Sequence, residues 1–305
     1  MKRKVIKQAN QAYTITLPIN WVRQHMIDKN PEIDVVESGK SLIISSDNAV
    51  KGESVTIDAS DWEEKSFNTV ISALYARGVD EITMLSKEKI CRDILSEISG
   101  RFLGYALISH ESGKYTIKDI SGANFSNLDE IFKRVFQMII SFYNSAINDI
   151  FGEEKETIPR LDSRDIEVNR FCLYLERAIN KMSYHDSING RILFTYSFDL
   201  EKISDEVHRL WRTNIKYKVK KSKQLKDLAL MSKECLEMAF DVYYNANQNN
   251  PKLVSKLYNQ RNKLRELSMT LAKNDAITTR FIRHIVKIAE DASDLSHLAL
   301  MRKTN

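Results

Sequence analysis

"DLEKISDEVHRLW", residues 199–211, is answered further along the chain by "IVKIAEDASDLSHLAL", residues 285–300. "KIS" followed by Asp205 in the first corresponds to "KIA" followed by Glu290 in the second. Both place apolar residues three and four apart, the period of a helix with one buried face. Working outward, that period begins near Asn124, where Leu128, Phe132, Val135, Ile139, Phe142, Ala146 and Ile150 follow it. It predicts six helices at about 125–151, 161–183, 189–213, 219–247, 251–272 and 276–302. "GEEKETIP", "SYHDSING", "KYKVKKSK", "NQNNP" and "KNDA" separate them. Two successive sets of three predict a mainly α protein with two repeated three-helix bundles, residues 124–215 and 216–305.

Upstream the period shortens. "NTVISALYARG" and "KEKICRDILSEISGRFLG" read as helices, "DEITML", "YALISHESG" and "KYTIKDIS" as strands. They predict a small α/β connector over residues 61–123. Residues 1–60 hold short β-branched runs: "RKVIKQ", "AYTITL", "EIDVVES", "KSLIISS" and "ESVTIDA". Between the second and third lies "PINWVRQHMI", where Pro18 suits the first turn of a short helix. So small a β unit buries little surface alone, which favours dimerisation.

Composition bounds the rest. With 43% hydrophobic and 29% charged residues over 305 positions, the chain reads as globular and multidomain. Cys91, Cys172 and Cys235 form no spaced pair, which suits reduced thiols in the cytoplasm. No run of about 18 apolar residues predicts a membrane span, and no apolar signal-peptide core opens the chain. Neither a Ser-His-Asp set, a P-loop, a zinc finger nor a nucleotide fingerprint is present. Net charge is only +5, but Lys2, Arg3, Lys4, Lys7 and Arg23 all precede the first acid, Asp28. Such asymmetry points to an anionic partner.

These residues carry two resemblances. The paired motifs, together with "RDIEVNRFCLYLERAIN" at 164–180, resemble the PhoU family, whose two three-helix repeats each end in a helix of the type E-R-I-(A/G)-D. Asn169 stands where that family usually has Asp. "KVIKQANQAYTITLPINWVRQHMI…EIDVVESGKSLIIS" resembles the AbrB/SpoVT swapped-hairpin domain. Tyr13, Thr14, Thr16, Leu17, Pro18 and Trp21 fall on its template, while Asn10 and Gln11 replace common glycines. The resemblance implies a homodimer through the N-terminal hairpins that binds double-stranded DNA. Lys and Arg neutralise phosphates there, while Thr, Gln and Asn position on backbone or base edges. The candidates are Arg3, Lys4, Lys7, Gln8, Asn10, Gln11, Thr14 and Arg23.

In the PhoU family, carboxylates of the repeated motif gather metal ions. Glu201 and Asp205 keep its E-x-x-x-D spacing; in the second copy Val286 takes the first acid's place, leaving Glu290. Spacing alone offers another register, E-x-x-x-D-x-x-H, met by Glu201, Asp205 and His208 and again by Glu290, Asp294 and His297. Mixed oxygen and nitrogen ligands suit iron, manganese or zinc. The run Lys216, Lys218, Lys220, Lys221, Lys223 and Lys226 joins the two expected bundles and opens the fourth helix. The resemblances together imply a cytoplasmic, non-enzymatic regulator of phosphate uptake. Its bundles would contact a phosphate transporter or its signalling components, and its hairpins would bind DNA. The alternative is a di-metal carboxylate redox enzyme, with further acids from neighbours such as Glu176 or Glu237.

Overall fold

The computed structural model describes residues 3–8, 12–29, 32–38, 41–46, 52–87, 100–111, 113–121, 128–152, 157–181, 188–244, 251–272 and 275–301. The chain divides into two compact units, Met1–Glu53 and Ser54–Asn305. It is mainly helical, with a small strand region at the N-terminus. No helix among the described residues is long and apolar enough to cross a membrane.

The first unit has the order strand, strand, short helix, hairpin. Strands β1 (Ile6–Gln8) and β2 (Ala12–Thr14) pair antiparallel, with Lys7 opposite Tyr13. Helix α1 (Ile19–Gln24) starts one residue after Pro18, which is extended and whose carbonyl accepts the Val22 N–H at 3.0 Å. Pro18 thus precedes the first turn, where its missing N–H costs nothing. Strands β3 (Ile33–Ser38) and β4 (Ser41–Ser46) form the hairpin, with Val35 opposite Ile44 and Leu42 opposite Glu37. Each pair is a separate two-stranded ribbon, a form of marginal stability in water.

The second unit opens with a four-stranded sheet of order β5-β6-β8-β7. Strand β5 (Ser54–Asp58) runs parallel to β6 (Glu81–Leu85), and helix α2 (Glu64–Arg77) makes the crossover that a parallel pair needs. β5 is "ESVTIDA", expected in the N-terminal domain. It lies in this sheet because Val55 and Ile57 pack on the sheet's own core, so the division falls at Glu53 rather than at residue 60. Gly78 ends α2 at φ 106°, a left-handed turn that favours glycine. Strands β7 (Tyr105–Glu111) and β8 (Lys114–Asp119) complete the sheet antiparallel. The expected helix before β7 falls mostly on residues 88–99, with Cys91, outside the described residues.

Six long helices follow: α3 (Leu128–Phe151), α4 (Ile158–Lys181), α5 (Ile188–Tyr217), α6 (Lys223–Tyr244), α7 (Pro251–Leu271) and α8 (Ala276–Met301). Within α3–α5, as within α6–α8, every helix packs on the other two. Third meets third, α5 on α8, and first meets first, α3 on α6. One continuous apolar core runs through all six, so the division at residue 215 is not a gap in packing. The lysine run differs from expectation. Lys216 lies in the last turn of α5, where it complements the helix dipole, and Lys218, Lys220 and Lys221 occupy the connection. Buried Val219 anchors that connection, and the Ser222 hydroxyl accepts the Leu225 N–H at 3.2 Å to start α6.

Arg177 fastens α4 to the sheet. It is 1% exposed. Its Nη1 donates to the Tyr75 and Val79 carbonyls (3.1 and 2.5 Å), and its Nη2 to Asp80 and Asp119 (2.6 and 2.8 Å). The Tyr75 and Tyr105 rings flank the guanidinium at 4.9 and 5.3 Å. Nearby, Asn180 donates to the Ala76 carbonyl at 2.7 Å and Lys181 pairs with Asp80. These contacts hold α2 against α4, and so set the geometry described next.

Candidate functional site

Two places gather chemistry that folding alone does not use. In the first unit, Arg3, Lys4, Lys7, Gln8, Thr14 and Arg23 are all exposed. Directly opposed strand residues share a face, and neighbours along a strand alternate. The pairing therefore puts Lys7 with Tyr13 on one face of the β1–β2 ribbon, and Gln8 with Ala12, Ile6 and Thr14 on the other. The candidate set is split between faces. Asn10 and Gln11 lie outside the described residues. Among the side chains described in this unit, Ile27 is the one buried apolar side chain. Tyr13 is 68% exposed, and Ile6, Ile15, Ile19, Val35 and Leu42 are exposed as well. Ile33, Val35, Leu42 and Ile44 share one face of the β3–β4 hairpin by register.

The second place is the seam between α4 and α5. Helix seams are normally apolar. Here Asp162, Asp165, Asn169, Cys172 and Glu176 recur every three and four residues along α4, and Ser197, Glu201, Ser204 and His208 do so along α5. One end is satisfied. Asp162 Oδ1 meets His208 Nε2 at 2.8 Å, Arg212 Nη2 donates to Asp162 Oδ2 at 2.6 Å, and Ser204 donates to Asp165 Oδ1 at 2.9 Å. Ser197 donates to the Cys172 carbonyl at 3.0 Å.

The other end is not satisfied. Among the described residues no hydrogen bond or ion pair reaches Glu176 or Glu201, and the Asn68 and Asn169 Oδ1 atoms are buried without a partner. Burial, then the neighbouring Glu201 charge, pushes the Glu176 carboxyl up to about 7. Burial, then Asp205 and Asp165, raises Glu201 to about 7 as well. Burial also drives the Cys172 thiol well upward, leaving it protonated and unreactive. These groups line a cavity of about 370 Å³ between α2, α4, α5 and the segment before β7.

The structure scatters the rest of the expected metal set. Asp205 pairs with Arg209, His208 with Asp162, and Glu290 with Arg265 at 2.5 Å, while Asp294 and His297 are exposed. Helices α5 and α8 do pack together, and a polar contact between them runs from Glu206 Oε2 to His284 Nδ1 at 2.6 Å. Burial pushes the Glu206 carboxyl up, and hydrogen bonds from His284 and Arg209 outweigh it, leaving the group below its ordinary value. Glu176 comes beside Glu201, whereas Glu237 pairs with Lys233 at 3.3 Å. Among the described residues no group of three His, Cys, Asp or Glu is placed to hold a metal ion.

Sequence reading missed Asp162, Asp165, Glu206 and His284. The three-four recurrence of polar residues on α4 is the signal that finds the first two, because it sets polar side chains where a seam is ordinarily apolar. No protein-family model, curated protein or solved structure matches the chain.

Proposed function

We propose that the chain is a regulator of phosphate homeostasis whose N-terminal units pair into a homodimer that binds double-stranded DNA. The observation carrying this reading is the state of the first unit. It has one buried apolar side chain among those described, apolar residues on one hairpin face and a cluster of exposed cations with no acid before Asp28. Apolar strand residues left in water gain by pairing with an identical surface, since each buried side chain of this size contributes roughly 1.5–3 kcal/mol. Pairing two copies also doubles the basic cluster, which suits a duplex whose phosphates repeat along its length. Arg3, Lys4, Lys7 and Arg23 act as phosphate contacts, and Gln8 and Thr14 lie on the ribbon face opposite Lys7.

The phosphate assignment rests on the likeness of the six-helix part to PhoU proteins. We read α3–α5 and α6–α8 as two copies of one three-helix unit, supported by their matching internal packing and the third-on-third, first-on-first contact. A transporter or signalling partner bound better in one arrangement of the helices than another would alter DNA affinity through linkage.

The test is fluorescence anisotropy of labelled duplex DNA at several salt concentrations, using the wild type and an Arg3→Gln, Lys4→Gln, Lys7→Gln variant. Every phosphate that is no longer neutralised flattens the slope of log affinity against log salt by about 0.9. A weaker, flatter response in the variant is expected. Identical affinity and slope in both proteins would remove the DNA role and leave the hairpins as a dimer clasp.

A further inference from the structure

The cavity between α2, α4 and α5 joins two kinds of wall. Phe102, Ile166 and Phe198 supply apolar surface, and Glu176, Glu201, Asn68 and Asn169 supply polar atoms. Glu176 is only 7% exposed, yet no donor reaches it among the described residues. Among the described residues the unmet capacity is nearly all acceptor capacity: the Asn68 and Asn169 Oδ1 atoms are buried without a partner, and the Glu176 and Glu201 carboxylates receive no hydrogen bond. Arg101 and Arg170 also line the cavity, but no ion pair joins either to Glu176 or Glu201; the one unmet donor is Arg170 Nε. A buried carboxylate without a partner is costly, and a bound group that supplies the missing donor offsets that cost.

We propose that this cavity binds a small organic ammonium ion, its N–H groups donating to Glu176, Glu201 and an asparagine oxygen while its carbon body rests on Phe102, Ile166 and Phe198. An ammonium group has three donors and no acceptor, which matches the unmet set. A metal ion matches it poorly. Three aromatic and aliphatic walls offer no donors to complete a coordination shell, and no group of three acidic, His or Cys side chains converges among the described residues. The volume lies in the usual range for small-molecule sites. Because Asn68 is on α2 while Glu176 and Glu201 are on α4 and α5, the bound ion would add a cross-link beside the Arg177 clamp.

Amine binding is independent of DNA binding and is tested separately. Phenethylammonium chloride is titrated into the full-length chain and followed by saturation-transfer NMR, with 2-phenylethanol as the neutral isostere. Saturable binding of the amine is expected, with the alcohol at least about tenfold weaker. Glu176→Gln keeps the side-chain shape and removes the buried charge, so the fold is retained and amine affinity should fall about tenfold or more. Ile166→Trp, at a position 45% exposed, should fill the cavity and abolish binding. Three outcomes would overturn the proposal: no saturable amine binding, equal binding of the alcohol, or unchanged amine affinity in Glu176→Gln. Displacement of the amine by equimolar Mn²⁺ would also overturn it, because the cavity would then be a metal site.

Discussion

The two units of this chain solve opposite problems. Ser54–Asn305 has a core running through six helices, and inside it, among the described residues, the Asn68 and Asn169 oxygens lack a partner and no donor reaches Glu176 or Glu201. Among the described side chains of Met1–Glu53, Tyr13, Ile6 and Leu42 stand in water and Arg3, Lys4, Lys7 and Arg23 are exposed, with Ile27 the buried exception. The first arrangement is finished as a fold and open as a binding site. The second is unfinished as a fold, because two-stranded ribbons cannot by themselves bury enough surface to be stable. The difference teaches where each unit has capacity to spare: polar atoms inside one, apolar and charged surface outside the other.

The largest effect should come from the clamp that makes the second unit self-sufficient. Arg177→Ala leaves Asp119 partly buried without its cation and Asp80 with Lys181 alone, and breaking such a pair costs about 3–5 kcal/mol. Urea denaturation should show a lowered midpoint; a loss under about 1 kcal/mol would mean that water replaces the guanidinium, as at a surface ion pair. The next effect belongs to the first unit. Val35→Glu with Leu42→Glu charges the apolar hairpin face, and dimer affinity should fall about 100-fold or more while the midpoint of the helical unit stays put. Unchanged association would place the dimer contact elsewhere.

A smaller effect is pH-dependent. The Glu176 carboxyl is held at about 7 in the fold, above its ordinary 4.5. The folded state therefore binds more protons than the unfolded chain between those values, and stability falls as pH rises through that window. Glu176→Gln removes that loss, so it should stabilise the protein by about 2–3 kcal/mol at pH 8 and leave it nearly unchanged near pH 4.5. A destabilised variant at pH 8 would show that the carboxylate has a donor after all. Smallest of the four is Asp275→Ala. Its carboxylate accepts the Ile277 and Thr278 N–H groups at 3.1 and 2.9 Å at the start of α8, and removing this cap should give a small drop in the urea midpoint.

How much of this was legible beforehand follows from which forces act locally. The six helices lie close to their expected spans because a long three-four apolar stripe, as from Leu128 to Ile150, has one good solution. The hairpins were legible from β-branched runs and turns. β5 was assigned to the wrong side of a boundary because pairing with β6 is a long-range choice that "SVTID" does not encode. The Arg177 clamp was invisible for the same reason: its partners Asp80 and Asp119 lie far away in the chain. At the candidate site, Glu201, Asp205 and His208 drew notice through their repeat, but Asp205 turned to Arg209 on its own helix and His208 to Asp162 across the seam. Spacing places residues on a face; only packing decides which neighbour they meet.

The central claim, that two N-terminal units make one DNA-binding module, is tested most directly by sedimentation of the full chain with a short labelled duplex. Expected is a protein of twice the 35.3 kDa chain mass that carries one duplex per two chains at low salt and releases it as salt rises. A 35.3 kDa species that leaves the duplex sedimenting alone at low salt would contradict it.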